Sequence, residues 1–342
     1  MAAHTHPSGR RSTIYSVAQA CGVSSSTVSR AFTRPDLVRD DVRERILSTA
    51  AAMGYRPNRS ARATATGRTA MLGLVVPDIT NPFMPPLVRA VQRAAADIGC
   101  SVTLMDAEES AGAETQLIGQ LHGQVDGLIL ASPRASSRAL AEAIDELPCV
   151  LVNRVVKELP SVVCDNSGAL AHLGDRLAGH GHRTFALLSG PSASWAAKQR
   201  ARAIRAWANR KEDAGVSLVE LGPFDASYDG GRRAGAALLD TAATAAFAFD
   251  DVMACGVLAE LDARDVQVPM QRSVVGCDDV LLARMVTPSL TTVAAPMAAL
   301  GDTAITLLHH RIANPGIAAE TVTLSGTPVV RDSTAPPAPP AP

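Results

Sequence analysis

The sequence predicts an N-terminal all-α helix-turn-helix domain, followed by a larger α/β domain of two lobes with doubly wound parallel sheets. Three observations support this fold class. Apolar residues from 13 to 53 recur at helical spacing. From residue 71 onward, short apolar strands alternate with amphipathic helices, with about nine strands over roughly 260 residues. The length of 342 residues is typical of two or three domains.

The segment SVAQACGVSSSTVSRAF, residues 16–32, carries the most information about the first domain. Gly22 permits a tight turn after one helix, and Ser24 stands where the N-cap of a second helix belongs. The outward face of that second helix carries short hydroxyls and one arginine: Ser25, Ser26, Ser29 and Arg30. Such a face can sit in a DNA major groove. A three-helix bundle with no nucleic-acid role is the alternative.

Charge divides the chain in the same place. Residues 1–68 contain 11 arginines, no lysine and four acidic residues, a net charge of +7, which leaves −8 for the remainder. A basic head on an acidic body is typical of a polyanion-binding module joined to a domain with a different task. A solvated arginine-rich segment would have the same charge.

The composition argues against several classes of protein. Six scattered cysteines without a CxxC pair indicate reduced thiols in a cytoplasmic protein, with no disulfide frame and no metal site. The N-terminus lacks the apolar core of a secretory signal, and no apolar run approaches the roughly 20 residues of a membrane helix. Walker, GxGxxG and GxSxG motifs are missing from the sequence, so neither an enzyme nor a cofactor is expected.

An ordered series of motifs resembles the LacI/GalR family of bacterial transcription regulators. The resemblance covers residues 13–330, with the opening run TIYSVAQACGVSSSTVSRAF and the segment GYRPNRSAR at 54–62. The body contributes the motifs VVPDITNPF, VDGLIL, CDNSGA, GHGHRTFALLSGP, FDD, VVGCDD and PSLTTV. The resemblance implies a repressor that binds double-stranded operator DNA as a homodimer and responds to a small-molecule effector of the sugar, polyol or nucleoside class.

The resemblance also implies which residues contact DNA. Ser25, Ser26 and Arg30 would face the bases, and Thr27 and Ser29 the backbone. Flanking and connector positions complete the expected set: Tyr15, Asn58, Arg62 and Thr64. The family commonly has a leucine at the position of Thr64, where it wedges open a base step, so a weaker or differently shaped DNA kink is expected here.

For the body, the resemblance implies a periplasmic-binding-protein type 1 fold. The expected domains are a disordered N-terminus (1–12), a reader (13–57), a hinge (58–69), an effector-binding and dimerisation domain (70–332) and a disordered Pro-rich tail (333–342). Within the body, the N-lobe is expected at about 70–165 and 293–322, and the C-lobe at about 166–292 and 323–332.

Ligands of open α/β sheets bind outside the carboxyl ends of the strands, and polar residues of this chain cluster there. Arg200 is expected to point into the cleft with Asp278 and Asp250 opposite it. Phe83 and Trp195 would supply apolar faces. The expected effector-binding set is Asp78, Asn81, Phe83, Asn153, Trp195, Arg200, Asp250 and Asp278.

Two other classes of protein are alternatives for the body. A sugar-binding transport receptor would need an export signal and no DNA reader, whereas the sequence has the reverse. A regulator that answers to a protein partner instead of a small molecule stays open, because the polar residues of the expected cleft argue against it only weakly.

Overall fold

The structure is a computed structural model that describes residues 12–55 and 68–338. The chain divides into two units, Met1–Ala70 and Met71–Pro342. The predictions of a disordered N-terminus and of DNA contacts by Asn58, Arg62 and Thr64 fall outside the described residues.

The first unit is a bundle of three helices, the first two of which begin at side-chain N-caps. The helices are α1 (Ile14–Cys21), α2 (Ser25–Thr33) and α3 (Asp40–Ala52), with a 3₁₀ turn at Pro35–Leu37. Gly22 ends α1 in the left-handed conformation (φ 65°), and the hydroxyl of Ser24 accepts a hydrogen bond from the Thr27 amide (3.1 Å) at the start of α2. These are the turn and the N-cap that the sequence predicts.

A small apolar core holds these helices together. It consists of Val17, Ala18, Cys21, Val28, Ala31, Ile46 and Ala50. Phe32 and Tyr55 pack against this core, and their two rings meet edge to face with centroids 6.0 Å apart. Since every helix contributes to this core, the unit is a folded domain in its own right.

The second unit begins with a parallel six-stranded sheet in the order β11-β5-β4-β3-β1-β2. Its strands are β1 (Met71–Val76), β2 (Ser101–Asp106), β3 (Gly127–Ala131), β4 (Cys149–Val152), β5 (Ser161–Asp165) and β11 (Thr321–Ser325). The helices of this lobe are α4 (Met84–Asp97), α5 (Ala111–Leu121), α6 (Ser137–Ile144) and α12 (Met297–Ala313). Buried strands alternating with helices place the core on both faces of the sheet.

The other lobe has a four-stranded parallel sheet in the order β7-β6-β8-β9. Its strands are β6 (Thr184–Leu188), β7 (Ser217–Leu221), β8 (Ala245–Ala248) and β9 (Ser273–Val275). Its helices are α7 (Ser167–Gly179), α8 (Trp195–Arg210), α9 (Tyr228–Leu239), α10 (Asp251–Asp262) and α11 (Leu282–Met285). A short antiparallel pair, β10 (Thr292–Ala294) and β12 (Thr327–Val329), completes the fold. The predicted fold class is confirmed.

The chain crosses between the lobes three times. The first crossing follows β5 at Asn166, and the second follows β10. The third differs from the expected boundary at residues 322–323, because β11 pairs with β5 from Thr321 through Ser325. Its full register belongs to the first sheet, so the crossing comes after Ser325.

The predicted disorder of residues 333–342 is corrected for residues 333–338. Ser333 is fully buried; its hydroxyl donates to the carbonyl of Val274 (2.6 Å) and its amide to that of Ser289 (2.9 Å). Further along, the Ala338 amide donates to the Met270 carbonyl (3.3 Å). Proline disfavours helix and inner strand, but an extended segment can still lie along a sheet when its hydroxyls and remaining amides find partners.

Glycines allow two helices of the second lobe to touch backbone to backbone. A Cβ on Gly256 of α10 would overlap the carbonyl oxygen of Tyr228 and lie 2.8 Å from the Cα of Gly231 in α9. Since backbone atoms surround the site, no side chain can rotate away to make room.

Gly256→Ala is therefore expected to lower the free energy of unfolding by about 1–3 kcal/mol through overpacking. The control is Gly119→Ala, because nothing lies within 4 Å of a Cβ at that helical position; alanine there should leave stability unchanged or raise it by about 0.5–1 kcal/mol. Urea unfolding followed by circular dichroism measures both. Equal midpoints for Gly256→Ala and the unaltered protein would contradict the packing argument.

Candidate nucleic-acid interface and ligand cleft

The outward face of α2 presents the predicted DNA-contacting side chains. Val28 and Ala31 are buried in the bundle, whereas Ser26 and Arg30 are exposed. Tyr15 on α1 is 73% exposed, an unusual position for a large aromatic side chain. Hydroxyls and a guanidinium on one open helical face can bond to base edges and phosphates.

The hydroxyls of this face are partly pre-arranged. Ser24 shares hydrogen bonds with Ser26 (2.7 Å) and Thr27 (2.8 Å). Arg30 is exposed on this face, and a guanidinium can bond both acceptors of a guanine. Ser25, Thr27 and Ser29 are partly buried along the flank of the same helix.

In the second unit a cavity of about 420 Å³ opens between the two lobes at the carboxyl ends of the strands. We call it the interlobe cleft. Five predicted residues line it: Phe83, Asn153, Trp195, Arg200 and Asp278. A smaller cavity of about 30 Å³ shares four of these residues and adds Asn81 and Asp250 to its walls. The two cavities thus bring together side chains from distant parts of the sequence.

Asp78 is the predicted residue that lines neither cavity. Its carboxylate accepts hydrogen bonds from the amide (2.8 Å) and the hydroxyl (2.6 Å) of Thr80, two residues further on. A short aspartate side chain commonly closes such a turn by bonding its own backbone. Asp78 therefore shapes the loop after β1 instead of facing the cleft.

A buried ion pair lies at the centre of the cleft. Arg200 Nη2 donates to Asp278 Oδ1 (2.5 Å), and Nη1 donates to the Phe249 carbonyl (2.6 Å). The guanidinium also lies over the Phe249 ring, 4.9 Å from its centroid. Burial alone would lower the pKa of Arg200, but the charge and the hydrogen bond of Asp278, together with other nearby groups, outweigh burial and raise it. The side chains are only 11% and 8% exposed, so each depends on the other for its charge.

Asp250 lies beside this pair and is 2% exposed. Its Oδ1 accepts from the Met253 amide (2.8 Å), which caps α10. Burial, and then the nearby charge of Asp278, raise the pKa of Asp250 to about 7. The neighbouring Asp251 is structural, since it accepts from Val280 N (2.9 Å) and from the Thr292 hydroxyl (2.6 Å).

The first lobe supplies the opposing wall. Asn153 follows β4 with φ 52°, and its Oδ1 accepts from the Cys164 amide (2.9 Å). This bond fixes the amide plane, so the Nδ2 group can donate to a ligand. Phe83 is buried at the start of α4, and Trp195 is the first residue of α8 in the other lobe.

Arg134 lines the smaller cavity but is not among the residues predicted from the sequence. Its Nε and Nη2 donate to both carboxylate oxygens of Glu109 (2.6 and 2.8 Å), and its amide donates to the buried Glu114 (2.7 Å). The signal was present: Arg134 follows the carboxyl end of β3, and the rule that selected Asn153 after β4 applies equally there.

Within the described ranges, 12–55 and 68–338, no group of three or more His, Cys, Asp or Glu residues could hold a metal ion. No helix in those ranges has the length and apolar character needed to span a membrane.

A helix-turn-helix reader joined to a two-lobed, ligand-sized cleft defines a ligand-responsive DNA-binding regulator. Residues 13–58 match the family described as bacterial regulatory proteins, lacI family, and residues 175–334 match the periplasmic binding protein-like domain. The chain is 33% identical to the HTH-type transcriptional regulator DegA of Bacillus subtilis (strain 168), over 95% of this chain and 99% of DegA. The chain belongs to the LacI family of bacterial transcriptional regulators.

Solved structures support the same assignment. A complex of the transcriptional regulator CelR with cellobiose is 30% identical, with a TM-score of 0.70, and covers 94% of this chain and 100% of CelR. The lac repressor dimer bound to operator and an anti-inducer has a TM-score of 0.84 at 24% identity, covering 95% of this chain and 100% of that one. The latter likeness concerns the fold.

The raised pKa of Asp250 predicts a pH-dependent cost. The folded pKa of about 7 exceeds the ordinary value of 3.8, so the folded state binds more protons between these values and stability falls as pH rises through them. Asp250→Asn keeps the helix cap and removes this cost. Urea unfolding should show the variant gaining about 2–4 kcal/mol over the unaltered protein at pH 8, and markedly less at pH 5. A gain that is the same at both pH values would refute the assignment.

Proposed function

We propose that this protein is a repressor whose affinity for its operator is set by a neutral sugar bound in the interlobe cleft. The observation that carries the proposal is the buried Arg200–Asp278 pair with Asp250 beside it. Together these groups offer both donors and acceptors at the ends of the strands, which is what recognition of several ring hydroxyls requires. CelR, a relative of similar fold, is described in complex with cellobiose.

Charge balance favours a neutral effector over an anionic one. The buried cation of the interlobe cleft and that of the smaller cavity are each matched by a carboxylate: Arg200 by Asp278, and Arg134 by Glu109. Arg202, which also lines the cleft, is exposed to solvent. A phosphate or carboxylate would have to break one of these pairs or approach the buried carboxylate of Asp250, which costs energy.

The cleft also has the size and the apolar surface that a sugar needs. A volume of about 420 Å³ falls in the range of small-molecule pockets. Phe83 and Trp195 present aromatic faces on which the apolar side of a pyranose can stack. A polyol would use the same donors and acceptors, and a nucleoside would stack its base where a sugar stacks its ring.

We further propose a homodimer. Leu281, just before α11, is 69% exposed, and Met285, at the end of α11, is 68% exposed. Such exposure is rare for two large apolar side chains four residues apart. A two-fold axis through such a patch would bury both copies and pair two readers on a pseudo-palindromic operator. The effector would then favour one arrangement of the lobes, and that arrangement would alter the spacing of the readers.

Binding without catalysis, in the cytoplasm, fits this role. The buried acidic groups of the two cavities are already engaged: Asp278 by Arg200, and Asp250 by the start of α10. Neither is placed as a general acid or base with a free partner. A protein that acts on operator DNA must share a compartment with the chromosome.

The effector prediction is tested by thermal shift with D-ribose, cellobiose, galactose, polyols and nucleosides. A sugar that fills the cleft should raise the melting temperature. The double variant Arg200→Gln/Asp278→Asn replaces the ion pair with neutral groups, so it should fold, keep operator affinity and lose the shift. The control is Arg202→Gln at the exposed rim, which should keep the shift. A double variant that still responds would remove Arg200 from the site, and no response to any sugar would overturn the effector class.

The reader is tested by selecting genomic fragments bound at near-physiological salt, where non-specific phosphate contacts are weak. Enrichment of a pseudo-palindrome is expected. Arg30→Ala should then lower affinity for that site by about 1–3 kcal/mol and relax the preference at one base of each half-site. Arg39, 79% exposed and paired with Asp41, supplies the control, since Arg39→Ala should leave base preference unchanged. Fragments that share no sequence would reduce the reader to a non-specific polyanion binder.

A further inference from the structure

The turn that carries Asp278 is strained. Asp278 and the next residue, Asp279, have φ angles of 113° and 52°, both in the left-handed region that residues with a Cβ rarely adopt. Two consecutive residues of this kind persist only where the surrounding structure holds them.

Hydrogen bonds from two backbone amides hold the two sides of the turn. The Asp278 amide donates to the Val293 carbonyl (2.8 Å), and the Val280 amide donates to the carboxylate of Asp251 (2.9 Å). These bonds fix where the turn begins and ends. They leave the Asp279 side chain, at its apex, to be held by something else.

Arg331, from the C-terminal segment, holds that apex. Its Nη2 donates to Asp279 Oδ1 (2.5 Å), while Nη1 donates to the Leu290 carbonyl (2.8 Å). The Arg331 and Asp279 side chains are 15% and 11% exposed, so this is a second nearly buried ion pair. The Arg331 amide is itself fixed by the Thr291 hydroxyl (2.9 Å).

The residues after Arg331 secure it in turn. Asp332 accepts from the Ser289 hydroxyl (2.6 Å), and the fully buried Ser333 accepts from the Thr291 amide (2.8 Å). The C-terminal segment is therefore bonded to the strand region that leads into the cleft, and its arginine reaches back to the turn beside the ligand-facing carboxylate.

We propose that Arg331 is a positioning residue for effector recognition. Through Asp279 it holds the strained turn so that Asp278 faces Arg200 and the interlobe cleft. The arginine fork is required because two donors reach two acceptors, a carboxylate and a carbonyl, at once; a lysine has a single nitrogen for both. The proposal rests on the cleft being the effector site.

The chain offers a matched control. Arg284 bonds the other oxygen of the same carboxylate (Asp279 Oδ2, 3.2 Å), but its side chain is 64% exposed. A solvent-exposed pair contributes little to holding a turn. Arg284→Gln therefore removes one cation from Asp279 without disturbing the buried contact, whereas Arg331→Gln removes the buried contact.

Hydrogen exchange on the full-length protein without any sugar tests the positioning directly. In Arg331→Gln, amides of residues 277–281 should exchange at least about tenfold faster, while those of β8 stay unchanged. Arg331→Lys should give an intermediate rate, and Arg284→Gln the unaltered rate. Faster exchange throughout the lobe, β8 included, would make Arg331 a general structural residue. Unchanged exchange at 277–281 would also overturn the proposal.

Titration with the sugar that gives the largest thermal shift supplies the second readout. Arg331→Gln should weaken sugar affinity by about tenfold, since strain of the turn is no longer balanced, while operator affinity without sugar is unchanged. Unchanged sugar affinity would overturn the positioning role and leave the effector site standing. If no sugar binds the unaltered protein, the proposed function fails, whereas the exchange experiment still decides whether Arg331 orders the turn.

Discussion

The buried ion pair of Arg200 and Asp278 is the interaction on which the second unit depends. Removing two charges from water costs several kcal/mol per ion, and their attraction offsets this only with good geometry and satisfied donors. The fold supplies both. The Phe249 carbonyl takes a further guanidinium bond, and the Phe249 ring covers its face. The strained turn after β9 aims the carboxylate. All of these contacts come from the lobe itself, and a site held in place by its own fold has a smaller ordering cost on binding.

The position of that pair follows from the topology. Parallel strands end at one edge of each sheet, and the chain crosses between the lobes near those edges, so the carboxyl ends of both sheets face the cleft. Phe83 and Asn153 come from the first lobe, whereas Trp195, Arg200 and Asp278 come from the second. A molecule that contacts both sets would favour the arrangement of the lobes in which it makes both sets of contacts. In this architecture one site can therefore bind a ligand and change the conformation.

Sequence patterns predicted the structural features that depend on short-range chemistry. Gly22 and Ser24 mark their turn and cap through backbone freedom and one hydroxyl, and alternating apolar strands mark the sheets. The wrong predictions share one cause, which is that nearby groups compete for the same hydrogen bonds. Asp78 follows a strand as Asn153 does, but its carboxylate is taken by Thr80. Ser333 lies in a Pro-rich end, yet buried acceptors order it. Such outcomes depend on which group is nearest in space, and sequence spacing alone does not contain that distance.

The two parts of the chain also differ in net charge, and this difference bears on how operator binding is controlled. The first 68 residues carry +7 and the remainder −8. A body of net negative charge repels the DNA phosphates on average, so the basic first unit is expected to supply most of the electrostatic affinity for DNA. A single small reader binds weakly, and two linked readers bind strongly only when both can engage their half-sites together. Because the gain from linkage disappears when the spacing is wrong, a modest rearrangement of the lobes is enough to change operator affinity substantially. In the proposed mechanism the body thus controls DNA binding through the spacing of the two readers.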